Sequence, residues 1–235
     1  MKQNMDSLIN LYKNNKIISY TQEAEDIILW KLLSHVEKGY YVDIGCYDPE
    51  SGNVTKIFYD KGWRGINCDA LPYIMDKYKS ARPDDTNLNM GVSDIEGELD
   101  FYTRQGLSTF DPSTVERLGR NNFKIIKIKV KPLNNILQDF DAKEIHFLKI
   151  DVEHFEAKVL AGVDLVRYRP WVICVEATLP CTTIPCHQEW ESKIINSGYK
   201  FYTQGRVNRY YIAQEKYEEL GFVGIKNGAR LMLMI

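Results

Sequence analysis

The residues with chemistry to offer are carboxylates placed at the ends of apolar runs. "YYVDIG" (40–45) closes on Asp43 and Gly45, and "GINCDAL" (65–71) presents Asp69, 26 residues after Asp43. "LKIDVEHFE" (148–156) carries Asp151, Glu153, His154 and Glu156, and "VICVEA" (172–177) presents Glu176. An acid that ends a buried strand needs a partner. A glycine there admits a ligand to close backbone approach, and an acid one strand later can accept hydrogen bonds from both hydroxyls of a ribose. The first turn lacks G-x-G-x-x-G, so no backbone cradle for a pyrophosphate follows it. A phosphate-free, cationic nucleoside fits this pattern, and S-adenosylmethionine is one. The blander reading makes Asp43 and Asp69 turn or helix caps, and Glu153 and Glu156 an acidic first helical turn. Asp151, Glu153 and Glu176 could act as general base, hold a divalent cation such as magnesium (at Asp151 and Glu176), or orient a hydroxyl.

The elements that must position these groups alternate. "TQEAEDIILWKLLSHV" (21–36) reads as an amphipathic helix with Thr21 as N-cap. Strands follow at 40–45, 65–71, "TNLNMGVSD" (86–94), "IHFLKIDVE" (145–153) and "PWVICVEA", separated by helical segments. "GELDFYT" and "IIKIKVKPL" read as strands of a small insertion near 97–131. "YKFYTQGRVNRYYIA" reads as a hairpin, and the apolar "ARLMLMI" as a last strand. Alternation with continuous apolar strands predicts an α/β, Rossmann-like fold: a mostly parallel sheet of the seven-stranded type with helices on both faces. Residues 1–36 read as an arm and helix over the ligand site, and 37–235 as the main domain.

Composition narrows the function classes. The 235 residues carry 30 basic and 32 acidic side chains, which leaves no electrostatic footprint for nucleic acid. No apolar run is long enough to span a membrane. The N-terminal "MKQNMDSLINLYKNNK" lacks the pattern of a signal peptide, so a cytoplasmic protein is expected. Cys46, Cys68 and Cys174 read as small buried apolar residues. "CTTIPCH" (181–187) has no second cluster to complete a zinc site and reads as a loop.

Several blocks, in order, resemble the FkbM family of S-adenosylmethionine-dependent methyltransferases: "TQEAED", "VDIGCYDPESGNVTKIFYDKGWRGINCDALP", "RPDDTNLNMGVSDIEGELDFY", "LSTF", "FLKIDVEHFEAKVLAG", "RPWVICVEAT" and "NRYYIA". The resemblance covers about Tyr20 to Ala213. It implies a class I methyltransferase fold and methyl transfer to oxygen, on sugars of surface polysaccharides or on secondary metabolites. Two positions depart from the family pattern. Asp69 stands where glutamate is usual, and His154 stands where the family reads Asp-Val-Glu-Gly. Under this reading Asp43, Gly45 and Asp69 contact the cofactor, with Asp94 toward the adenine and Gln22 and Glu25 toward the methionine end. Asp151 and Glu176, then Glu153 and His154, are the catalytic candidates. Ser108, Thr109 and Asn208 are candidates for a polyhydroxylated small-molecule or glycan acceptor. Self-association is left open. The rival readings are a catalytically degenerate scaffold of the same fold and a sugar-nucleotide epimerase or reductase, which would need a phosphate loop.

Overall fold

A computed structural model describes residues 19–142 and 144–226, side chains as far as residue 221. The expected arm at 1–18 and the "ARLMLMI" strand lie outside these residues. Among the described residues no helix is long and apolar enough to cross a membrane.

The main sheet holds seven strands. β1 (Tyr40–Ile44), β2 (Arg64–Asp69), β3 (Thr86–Asn89), β8 (Phe147–Ile150) and β9 (Val172–Glu176) run parallel, in the order β3-β2-β1-β8-β9. β11 (Asn208–Ala213) joins β9 antiparallel, and β10 (Tyr199–Gln204) pairs with β11 as the outer strand. The sequence predicts this mixed, mostly parallel sheet, because Val, Ile and Tyr fill both faces of its strands and only helices can cover them. On one face Val42, Ile44, Ile66, Leu148, Ile150, Ile173 and Val175 pack with α5 (Leu133–Asp139), α6 (Glu156–Ala161) and α7 (Glu191–Asn196). On the other, Tyr41, Phe147, Val172, Cys174, Tyr210 and Ile212 pack with α1 (Glu25–Leu33), α2 (Lys56–Asp60) and α8 (Tyr217–Lys226).

The segment 86–94 is not the single strand expected. Met90 separates β3 in the main sheet from β4 (Gly91–Ser93) in a second sheet, ordered β4-β7-β5-β6. That sheet contains β5 (Gly97–Arg104), β6 (Leu107–Thr109) and β7 (Lys124–Pro132). The first three residues of "LSTF" form the short strand β6. Phe101, Phe110, Ile128 and Val130 form the small sheet's core against Ala70, which anchors it beside the end of β2. α3 (Pro72–Ala81) links β2 to β3, and α4 (Pro112–Leu118) follows β6.

α1 starts later than expected. Ala24, in the left-handed region at φ 59°, takes the N-cap position, and Thr21 serves it from a distance by accepting from Glu25 N at 3.1 Å. Buried Asp26 ties down the preceding turn by accepting from Ser19 Oγ and Tyr20 N, each at 2.7 Å.

Candidate active site

A cavity of about 480 Å³ lies at the carboxyl ends of β1, β2, β8 and β9, roofed by the β5–β6 hairpin. In open α/β sheets this is where ligands bind. Its polar lining includes Gln22, Asp69, Lys149, Asp151, Glu153 and Glu176, and its apolar lining includes Leu71, Met90, Val92 and Phe110.

Gly45 makes the floor. Its φ is 77°, and a Cβ there would stand 1.8 Å from the Asp151 carbonyl oxygen. No other residue admits so close an approach of the two strand ends. Asp69, the last residue of β2, accepts from Leu71 N at 2.9 Å through Oδ1 and from Tyr47 N at 3.1 Å through Oδ2. Each oxygen keeps a lone pair for a ligand hydroxyl. Burial raises its affinity for a proton, against those two hydrogen bonds.

The acids beyond Gly45 surround one lysine that sequence reasoning missed. Lys149 is buried in β8, and the parallel register sets it beside Asp43 in β1. Its Nζ donates to Gly45 O at 2.7 Å and sits 3.3 Å from Asp43 Oδ1 and 3.5 Å from Asp151 Oδ2. Burial opposes its charge, but Asp43 and Asp151 outweigh that and hold the ammonium protonated. The signal was present: a lysine inside "FLKI" must be paired when the strand is buried.

The remaining carboxylates lack such a partner. Glu153 is pushed up to about 8 by burial, then by Asp151 and Glu156. Glu156 is pushed up to about 7, again by burial first, although Val152 N donates to it at 2.9 Å. Glu176 rises well above the ordinary carboxylate range through burial and the charges of Asp151, Glu156 and Glu153, and its Oε2 is buried without a hydrogen-bond partner. Like charges crowded out of water retain protons.

The profile of the methyltransferase FkbM domain matches residues 43–201. The chain belongs to that family. Among solved structures, it is similar to the methyltransferase FkbM from Methylobacillus flagellatus KT, with 16% identity and a TM-score of 0.46. That match covers 75% of this chain and only 44% of the other, so the present chain spans under half of that protein's length. A TehB-like SAM-dependent methyltransferase from Corynebacterium glutamicum ATCC 13032 is similar at 10% identity and TM-score 0.45, covering 90% of this chain and 97% of that one. The magnesium protoporphyrin IX methyltransferase ChlM from Synechocystis PCC 6803, with bound SAM, gives 8% and 0.42, covering 81% and 77%. No curated protein matches the sequence.

Within this FkbM-family chain, the expected site residues divide into three groups. Gly45, Asp69, Gln22, Ser108, Asp151, Glu153 and Glu176 converge on the cavity. Asp43, Glu25, Thr109 and Asn208 stand behind its lining. Asp43 is fully buried, because strand alternation turns it to the α1–α2 face under Gly45, and beyond the Lys149 ion pair neither oxygen has a hydrogen-bond partner. Asn208 Nδ2 donates to Glu25 Oε1 at 3.1 Å, so these two pin α1 to β11. Thr109 Oγ1 donates to Glu153 O at 2.7 Å and so holds that loop from beneath.

Asp94 and His154 point away from the cavity lining. Asp94 is engaged by Lys158 Nζ at 2.9 Å, and Met90, Gly91 and Val92 line the wall expected of it. His154 Nδ1 lies 3.0 Å from Asp111 Oδ2, and Nε2 lies 3.4 Å from Glu189 Oε1. Its φ is 73°, a left-handed conformation that glycine adopts without strain. Burial lowers its affinity for a proton, but Asp111 and Glu189 outweigh that and raise it. The histidine thus straps the Asp151–Phe155 loop to α4. Among the described residues no group of three or more His, Cys, Asp or Glu is arranged to hold a metal ion, so the cation-holding option for Asp151 and Glu176 finds no support.

Proposed function

We propose that this chain is an S-adenosylmethionine-dependent O-methyltransferase acting on a hydroxyl of a sugar or glycan. The observation that carries it is the cavity: a close-approach glycine, a strand-end acid one βαβ unit on, and an unpartnered buried carboxylate oxygen, with no phosphate cradle. Those residues fit the cationic nucleoside. Asp69 would take the ribose hydroxyls, and Leu71, Met90 and Val92 would flank the base. When bound, the cofactor supplies an activated methyl group.

The chain's own part is alignment and proton handling. Asp151 and Glu176 offer acceptor oxygens to a polyhydroxylated substrate. Glu153, pushed up to about 8 by burial and by Asp151 and Glu156, takes in its ionised form the proton that the hydroxyl loses. The two-part organisation belongs to the same proposal: Gln22, just before α1, closes one side, and the β5–β6 hairpin supplies the acceptor side. The cellular setting we infer is cytoplasmic synthesis of a surface polysaccharide or secondary metabolite.

Calorimetry with S-adenosylmethionine tests the donor half, and an absence of measurable binding ends the reading. Incubation of the loaded protein with sugar nucleotides and glycans, followed by mass spectrometry, should show an acceptor heavier by one CH₂. Donor binding with no such product on any acceptor would leave a non-catalytic scaffold.

A further inference from the structure

We propose that Arg104 anchors an oxyanion subsite and holds a phosphate or carboxylate carried by the acceptor. The inference rests on the methyl-transfer reading of the cavity. Two cations line that cavity, Lys149 and Arg104. Lys149 is spent on Asp43, Asp151 and the Gly45 carbonyl. Arg104 makes no ion pair among the described residues.

Its guanidinium is nevertheless held. The Arg104 Cζ lies 5.0 Å from the Phe123 ring centroid, which fixes the plane of the fork. Nη2 donates only to the soft Cys181 Sγ at 3.8 Å, and Nε is buried with no hydrogen-bond partner. A planar, oriented guanidinium whose only acceptor among the described residues is a weak thiol sulfur matches an oxyanion. Neighbouring Gly106 turns the hairpin at φ 80°, and a Cβ there would meet nothing within 4 Å, so the mouth beside Arg104 is open. Ser108, also on the cavity, adds a hydroxyl on the same hairpin. The acids beside it repel the ligand less than their number suggests, because burial and the neighbouring carboxylates push Glu153 up to about 8 against the pull of Lys149 and Arg104, and raise Glu176 in the same direction. The acceptor is therefore an acidic sugar, either a sugar phosphate or a uronate.

Protein loaded with S-adenosylhomocysteine is titrated with inorganic phosphate, glucose 1-phosphate, glucuronate and glucose by calorimetry. Wild type should bind at least one anionic sugar about tenfold or more tightly than glucose. Phosphate alone should compete with it, and the preferred anion distinguishes the two sources. Arg104→Gln should abolish the preference, and Arg104→Lys should restore part of it. S-adenosylhomocysteine affinity should stay within about twofold in both variants. Equal binding of charged and neutral sugars, or a preference that survives in R104Q, overturns the subsite alone. Loss of S-adenosylhomocysteine binding in the wild type would instead overturn the methyl-transfer reading beneath it.

Discussion

Asp69 answers two demands at once, since its carboxylate holds the Tyr47 and Leu71 amides and faces the cavity. Asp69→Asn keeps one acceptor oxygen but removes the charge. It should weaken S-adenosylmethionine by about ten- to a hundredfold, read by calorimetry; an unchanged dissociation constant would remove Asp69 from the donor site. Glu153 is tested by pH. A base pushed up to about 8 works only when ionised, so kcat/KM should climb with pH and level off above about 8. Glu153→Gln should lower kcat and erase that limb, and a variant with the wild-type profile would exclude the role. These two residues were legible in the sequence as acids ending apolar strands. Lys149 was legible only in retrospect, because its partner Asp43 is 106 residues earlier and meets it through strand register.

At the scale of elements, the end of β1 and the loop after β8 determine the site's shape. Gly45→Ala would drive a methyl group into the Asp151 carbonyl at a left-handed φ. The cost should be about 3 kcal/mol or more, measured by denaturant titration; a loss near zero would show that the two strand ends can part. The His154 strap makes a pH-dependent contribution. A histidine whose proton affinity is raised by folding stabilises fully below its unfolded value and loses that contribution as pH rises through the folded one. His154→Gly relieves the positive φ but removes both ion pairs, so it should destabilise more at pH 6 than at pH 8.5. It should leave cofactor affinity within about twofold. Equal effects at the two pH values would reduce His154 to a conformational compromise. The resemblance to the FkbM family exposed the departure from glycine here, but not its partners, which come from the N-cap of α4 and the turn before α7.

At the scale of the whole molecule, crowding of acids at one end of the sheet has a global consequence. Glu153 and Glu156 bind protons more tightly folded than their ordinary 4.5, reaching about 8 and about 7, and Glu176 moves the same way. The folded state therefore carries extra protons between about 4.5 and 8, so stability should fall as pH rises through that window. Thermal melts from pH 5 to 8.5 should show a declining midpoint, with Glu176→Gln flattening it; a midpoint that rises across the range would contradict the crowding. The sequence by itself determined the alternation of strands and helices, the two-sided core and the strand-end acids, because apolar periodicity and turn residues are local properties. Only tertiary structure decided which acids share a cavity. Alternation along β1 turned Asp43 beneath the floor, the break at Met90 sent one expected strand into two sheets, and register placed a lysine among the carboxylates. Those outcomes depend on which strands become neighbours, and that is set by packing between segments distant in the chain.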